Sequence, residues 1–252
     1  MAFGNRDLRD EIRDYWSDRA ASFDDDPGHR IGKDMAAWQA LFRRHLGDAD
    51  GRALLDLASG TGEIARLCQS MGFAVTGLDW SEPMLECARA KLPDVTFIQA
   101  DAECAMLQPD SMDVIVTRHL VWTLVDPAAA FAEWFRVLRS GGKVLIVDGD
   151  FVSKTFWSIV LPWIVPQGSQ SAAAAASLSR HAEIVSKLYF RAGARASHVA
   201  ALLHASGFDQ IEIDTDLAPI HRAQRSTLGW RKSLLRRSEH RYAISATKPR
   251  DP

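Results

Sequence analysis

Three acids and one small-residue loop are the residues of this sequence that could do chemistry as a set. The stretch "LLDLASGTGEIARL", Leu54 to Leu67, runs from apolar residues into Asp56 and then into a loop containing Gly60 and Gly62. Gly60-Thr61-Gly62-Glu63-Ile64-Ala65 satisfies G-x-G-x-x-G/A, a spacing that turns the chain tightly and brings backbone N–H groups close to a nucleotide. Asp79 follows about twenty residues later, where such a fingerprint places a ribose-binding acid. Asp101 follows another apolar run, in "FIQADAE".

The position of the first acid decides between nucleotides. Asp56 lies four residues before Gly60. Beside a pyrophosphate, an acid there is an electrostatic cost, whereas beside an amino group it is favourable. S-adenosylmethionine has no phosphate and offers an ammonium, a sulfonium, a ribose diol and an adenine. Asp56 can support its methionine end, directly or through water. Asp79 can accept both ribose hydroxyls, and Asp101 can accept from the adenine amino group. His119 follows the fourth apolar run, where an acceptor would meet the methyl group, and a neutral histidine could take a proton there. It could equally fix backbone or pack beside the cofactor. Methyl transfer often needs only alignment and exclusion of water, because sulfonium is already a good leaving group. Tyr15, Trp16 and Trp122 are candidates to line the acceptor pocket, and an aromatic face stabilises a sulfonium.

These residues need elements to position them. Residues 5–20 and 34–46 carry apolar residues at helical spacing. From Ala53 the rhythm becomes alternating. Apolar runs at Ala53–Leu57, Ala74–Leu78, Val95–Ile98, Val114–Val116 and Val144–Val147 read as strands, with helices at Glu63–Met71, Pro83–Lys91 and Pro127–Leu138. Pro83 and Pro127 suit first turns, Ser81 and Asp126 are capping types, and Gly141-Gly142 should end the last of these helices. Continuous apolar strands between helices imply a parallel sheet covered on both faces, with ligands at the carboxyl ends of its strands. Residues 151–192 read as two helices around a break at 162–169, Ser197–Ser206 as a helix, and Phe208–Asp214 and Arg241–Thr247 as the last two strands. The Arg-rich segment between those strands reads as a solvated face or subunit contact, with binding of an anionic substrate as the alternative.

Four segments, "LLDLASGTGEIARL", "VTGLDWSEPMLECAR", "VTFIQADAE" and "DVIVTRHLVWTLVDPAAAFAEWFRVLRSGGKVLIVDGD", together resemble the class I S-adenosylmethionine-dependent methyltransferases, in the group that includes ubiquinone and menaquinone C-methyltransferases. The resemblance covers about residues 50–150, in order and with ordinary spacing. It implies a Rossmann-like, doubly wound α/β fold, with a mostly parallel seven-stranded sheet and an antiparallel last strand. It implies an N-terminal helical cover over residues 1–50, a cofactor-binding core over 51–150, a helical insertion or lid over 151–192, and a C-terminal completion of the core over 193–252. The cofactor residues implied are Asp56, Ala58, Ser59, Gly60, Thr61, Gly62, Asp79, Trp80, Met84, Asp101, Ala102, Glu103 and Arg118. In similar proteins the N-terminal helix folds over the cofactor, which brings Tyr15 and Trp16 toward it. The sequence departs from the family at Ala58-Ser59, where glycine then cysteine or serine is common. It also departs at "CAMLQPDSMD", where "LPF" is common, and at Trp122, near a usual histidine.

The remaining chemistry narrows the choice. A net charge of -2 gives no general attraction to nucleic acid or membrane. The Asn/Asp-Pro-Pro-aromatic run of nucleic-acid amino-methylation is absent, as is the Pro-Cys of cytosine-C5 methylation. No apolar run approaches the length of a membrane span, and the charged N-terminus lacks a signal-peptide core. Cys68, Cys87 and Cys104 show no metal-like spacing, which points to a reducing cytoplasm without disulfides or a structural metal. The expected activity is methyl transfer from S-adenosylmethionine to a small molecule, a homodimer being left open. The alternatives are an NAD-dependent oxidoreductase and a non-catalytic S-adenosylmethionine-binding protein.

Overall fold

A computed structural model describes residues 2–26, 28–153 and 172–250. Helices α1 (Ala2–Ser17) and α2 (Met35–Leu46) precede the sheet, with a 3-10 turn at Ala20–Asp25 between them. The alternating core follows as β1 (Ala53–Leu57), α3 (Glu63–Ser70), β2 (Ala74–Asp79), α4 (Glu82–Lys91), β3 (Thr96–Gln99), β4 (Met112–Arg118), α5 (Pro127–Val137) and β5 (Leu138–Asp150). Next come α6 (Ala172–Lys187), α7 (Ala196–Ala205), β6 (Asp209–Asp214), α8 (Ala218–Ser238) and β7 (His240–Thr247).

The seven strands form one sheet in the order β3-β2-β1-β4-β5-β7-β6. All pairings are parallel except those of β7, which runs antiparallel to both β5 and β6. This is the doubly wound architecture expected from the apolar rhythm. The chain leaves β1 toward β2 and β3, then returns to β4 on β1's other side. A crevice therefore opens at the carboxyl ends of β1 and β4, where such sheets bind ligands.

Alternation along each strand feeds two cores. Leu55, Leu57, Val144 and Ile146 join Phe131, Trp134, Val199 and Leu203 on one face. Leu54, Leu145 and Val147 join Trp38, Phe42, Ile64 and Leu67 on the other. The caps are those expected: Ser81 Oγ accepts from Met84 N at 3.4 Å, and Asp126 Oδ1 accepts from Ala129 N at 3.1 Å, each ahead of a proline in the first turn. Among the described residues, no helix is long and apolar enough to cross a membrane.

One expectation changes. The double glycine does not end a helix: α5 stops at Val137, and Gly141 and Gly142 lie within β5. Leu138 pairs with Met112 and Lys143 with Val114, so the residues between 138 and 143 bulge out of the ladder. Gly141 takes φ +78° there, and a Cβ on Gly142 would lie 2.8 Å from the Arg139 carbonyl oxygen. The Arg-rich segment forms a helix, α8, on which Arg222 and Arg225 are exposed. Among its described residues Ile220, Gln224, Leu228 and Ser233 are buried, and Gln224 Nε2 donates to Asp34 Oδ2 at 2.7 Å.

The insertion is described in part. Phe156, Trp157 and Trp163 lie outside the described residues. Helix α6 lies along α1, tied to it by Arg180–Asp18 at 2.9 Å and Lys187–Glu11 at 3.0 Å.

The glycine loop fixes the start of α3. Gly62 is its N-cap residue at φ +86°, and a Cβ there would meet Ala88 Cβ and Leu92 Cδ1 at 3.2 Å. Gly62→Ala therefore combines left-handed strain with a contact against α4 and is expected to cost about 1–3 kcal/mol of stability. Urea denaturation checks this, and an unchanged midpoint would contradict it.

Candidate functional site

The crevice contains a cavity of about 320 Å³. One half is built from strand ends. After β1 the chain passes through Ala58 at φ +53° and Gly60 at φ +54°. Alanine in the left-handed region costs about 1–2 kcal/mol, and the loop forms despite this departure from glycine. Gly60 N donates to Asp79 Oδ2 at 2.8 Å, and Ser81 N donates to Asp79 Oδ1 at 2.9 Å. The carboxylate at the end of β2 thus clamps the β1 loop and lines the cavity beside Trp80 and Met84. Asp101, after β3, accepts from Glu103 N at 2.8 Å and lies 3.3 Å from Arg9 Nε of α1. Ser59, Gly60, Thr61, Ala102, Glu103 and Arg118 also line the cavity.

Asp56 and Gly62 sit behind the loop rather than on the cavity wall. Asp56 is buried; its Oδ2 accepts from Ser59 Oγ at 2.7 Å, and its Oδ1 has no hydrogen-bond partner. Burial pushes the Asp56 carboxyl up to about 7 and the Asp79 carboxyl up to about 6. Thr61 is committed within the protein, since its hydroxyl donates to Asp24 Oδ1 at 2.7 Å. Glu103 is more committed still. Arg9 takes Oε2, while Val125 N and Asp126 N donate to Oε1 at 2.6 and 3.0 Å. Glu103 therefore ties α1 to the β3 loop and to the start of α5. Arg118 is held by the His29 carbonyl at 2.5 Å and by the Trp38 ring at 5.5 Å.

The other half of the cavity is aromatic and cationic. Trp122 lies edge-on to Trp16 at 6.5 Å and to Phe151 at 6.0 Å. Its indole nitrogen is buried without a partner. Tyr15 does not line the cavity: it is buried behind Trp16, in edge contact at 5.1 Å. Phe23, His29, His181, Arg236 and Arg241 complete this half. His119 sits at φ +63° with its backbone N–H on the Val147 carbonyl at 3.1 Å. Its Nε2 lies 3.1 Å from Arg241 Nη1. Arginine can only donate, so that ring nitrogen accepts and its lone pair is occupied. Burial and the neighbouring Arg241 hold the imidazole neutral, well below its usual titration range. The arrangement removes the lone pair a general base would need.

A family model described as a methyltransferase domain matches residues 55–146. Residues 55–146 are thus similar to methyltransferase domains. A demethylmenaquinone methyltransferase of Lactococcus lactis is 35% identical over 119 residues, covering 44% of this chain and 47% of that protein. Another, from Paenarthrobacter aurescens, is 25% identical over 203 residues, covering 79% and 76%. The chain spans about half the length of the first curated relatives it matches. A solved S-adenosylmethionine-dependent methyltransferase from Mesorhizobium loti superposes with a TM-score of 0.60 at 24% identity, covering 86% of this chain and all (100%) of that one. The phosphoethanolamine N-methyltransferase 2 of Haemonchus contortus, in complex with S-adenosyl-L-methionine, gives 0.58 at 22% identity, covering 84% and 52%. These structures share the fold. An oxidoreductase is not favoured.

The cavity is also lined by residues that the sequence alone did not single out: Phe23, His29, Glu63, His181, Arg236 and Arg241. Phe23 and His29 come from "FDDDPGHRIG", which reads only as a helix breaker, yet their rings stack at 4.0 Å. The sole hint for Arg236 and Arg241 was their place in the Arg-rich segment. Among the described residues, no group of His, Cys, Asp and Glu could hold a metal ion.

Burial of these acids makes stability depend on pH. Asp56 and Asp148 sit at about 7 and Asp79 at about 6, against 3.8 when unfolded. The folded state therefore holds extra protons below these values, and stability falls as pH rises through them. His119 acts in the opposite sense, because the unfolded chain gains a proton below its ordinary 6.5 that the folded chain refuses. The ligand-free chain is therefore expected to melt at a higher temperature at about pH 6.5 than at about pH 8.5. Calorimetric scans check this, and the reverse order would contradict it.

Proposed function

We propose that this chain moves the methyl group of S-adenosylmethionine to a small-molecule acceptor. The observation that carries the reading is the buried Asp79 carboxylate on the cavity wall. Gly60 and Ser81 each occupy one edge of it, and lone pairs remain for the two ribose hydroxyls. The residues present fit the cofactor. Asp56 Oδ1, buried and without a partner, suits a ligand that brings an ammonium, directly or through a water. Asp101 would accept from the adenine amino group, Trp80 and Met84 would pack on the adenosine, and the Ser59–Gly60 backbone would back the methionine moiety. Thr61, Glu103 and Arg118 would shape the site through the protein bonds they already make. When bound, the cofactor supplies a methyl group on a positively charged sulfur, an electrophile with its leaving group built in.

The chain's own contribution is to hold, align and exclude water. Trp16, Phe23, Trp122 and Phe151 supply an apolar wall whose ring faces favour a nearby cation and suit a flat acceptor. Helices α1 and α6 form the cover, with Glu103 and Arg9 anchoring it. His119 positions a neighbour rather than taking the acceptor's proton. The three free cysteines suit a reducing cytoplasm. The quinone precursors named for the relatives are flat rings of the kind this wall suits.

The test uses S-adenosylmethionine labelled in its methyl group, incubated with the chain and a panel of small aromatic acceptors. Label is expected in the small-molecule fraction, matched by S-adenosylhomocysteine. Label found only in protein or RNA would overturn the reading.

A further inference from the structure

At the acceptor half of the cavity, two arginines converge from elements outside the glycine-loop core. Arg236 comes from α8. Its Nη1 donates to Gln224 Oε1 at 3.1 Å and its Nη2 to the Gly28 carbonyl at 3.1 Å, so two neutral oxygens hold it. Arg241 comes from the start of β7. Its Nε donates to Glu239 Oε2 at 2.6 Å, its Nη1 to His119 Nε2 at 3.1 Å, and its guanidinium lies over the Phe151 ring at 5.0 Å. Both line the same cavity as Trp122 and Phe151.

The charge balance at this corner is uneven. Arg118 answers the buried acids Glu63 and Asp56, and Arg241 answers Glu239. Arg236 feels Glu239 and Asp26, but it also faces the like charges of Arg241 and Arg118. Burial and that repulsion bring it down to about 10, well below a free guanidinium. Two arginines brought together in a partly dry site cost free energy that an anion between them would recover. Their geometry is also fixed in advance. Gln224 and the Gly28 carbonyl aim one fork. Glu239 and the neutral imidazole of His119 aim the other, leaving Arg241 Nη2 without a hydrogen-bond partner among the described residues.

We propose that Arg236 and Arg241 form an anion-recognition corner, so that the methyl acceptor carries a small anionic oxygen group, carboxylate or phosphate, on an aromatic or apolar body. The charged group docks on the two guanidinium forks and the body lies along Trp122 and Phe151. His119 serves as a positioning residue that sets the direction of Arg241. This deepens the methyl-transfer reading and rests on it.

The test is a calorimetric titration of the S-adenosylhomocysteine complex with three probes of one size: benzoate, phenyl phosphate and benzyl alcohol. At least one anion is expected to bind about tenfold or more tightly than the alcohol, as charge-assisted paired hydrogen bonds require. Preference for benzoate assigns a carboxylate, and preference for phenyl phosphate assigns a phosphate. Arg241→Gln and Arg236→Gln should each remove about tenfold of that anion affinity while leaving S-adenosylhomocysteine affinity within about twofold. Arg241→Lys keeps the charge and loses the fork, so it should recover only part of the loss. Thermal melting of each variant confirms the fold. His119→Ala should weaken binding of the anion probe while S-adenosylhomocysteine affinity stays within about twofold. Equal affinity for all three probes, or anion affinity indifferent to both arginine variants, overturns the corner. Failure to bind S-adenosylhomocysteine at all would instead sink the underlying methyl-transfer reading.

Discussion

Asp79→Asn is expected to lower the affinity for S-adenosylhomocysteine by about a hundredfold or more while the chain still folds. Hydrogen bonds to a charged acceptor are worth about 1.5–3 kcal/mol each, and about 1.4 kcal/mol is a factor of ten. Asparagine has the same shape but a single acceptor oxygen. Its amide N–H₂ must face Gly60 N, Ser81 N or a ribose hydroxyl, where the carboxylate accepts from both backbone groups at 2.8 and 2.9 Å. The same site predicts a pH dependence in the wild-type chain. Burial places the empty Asp79 carboxyl at about 6, and the hydroxyls of the ligand favour its charged form. Affinity should therefore hold above about pH 6 and fall by up to about tenfold per unit below it. A folded Asp79→Asn protein that binds as tightly as wild type would remove Asp79 from the site.

Trp134→Ala is expected to cost about 3–5 kcal/mol, the usual range for truncating a buried large aromatic. Trp134 is 1% exposed in α5 and packs edge-on against Phe131 at 5.0 Å. Its Nε1 donates to the Ala102 carbonyl at 2.8 Å, directly beneath the Asp101 turn. The substitution therefore opens a cavity and frees one carbonyl of the loop that faces adenine in the proposed site. A stability of about 5–15 kcal/mol is typical of whole domains, so this one change should bring the chain close to its limit. Trp134→Phe keeps most of the ring and should cost less than half as much. Urea midpoints for the three proteins check the order. A loss under about 1 kcal/mol for the alanine variant would contradict this packing account.

The parts of the fold that were legible share one property: the signal is local. Apolar runs at Ala53–Leu57 and Val144–Val147 mark buried parallel strands by themselves. Ser81-Glu82-Pro83 and Asp126-Pro127 announce helix starts because capping acceptors and a missing N–H act within one turn. Helix α8 was not legible as a helix, because its charged residues interleave with the buried Ile220, Gln224, Leu228 and Ser233. The glycine pair at 141–142 was legible as a break but not as a bulge, since the partner strand decides which one it becomes.

The site divides in the same way. Asp56, Asp79 and Asp101 stand at strand ends, so their chain positions fix their neighbourhood. Glu103 follows Asp101 in the chain and lines the cavity, yet both its oxygens are engaged by Arg9 and the start of α5. Nothing local reports such a commitment. Tyr15 and Trp16 are adjacent, and only packing against His181 and Trp122 decides which one turns inward. Arg236 and Arg241 reach the cavity from the far end of the chain, through α8 and β7, and tertiary packing alone brings them to His119.

The most direct measurement is a calorimetric titration of the wild-type chain with S-adenosylhomocysteine and, separately, with NADH. Saturable one-to-one binding of S-adenosylhomocysteine is expected, weakened below about pH 6 as Asp79 takes up its proton, with no binding of NADH. Binding of NADH with no binding of S-adenosylhomocysteine would contradict this.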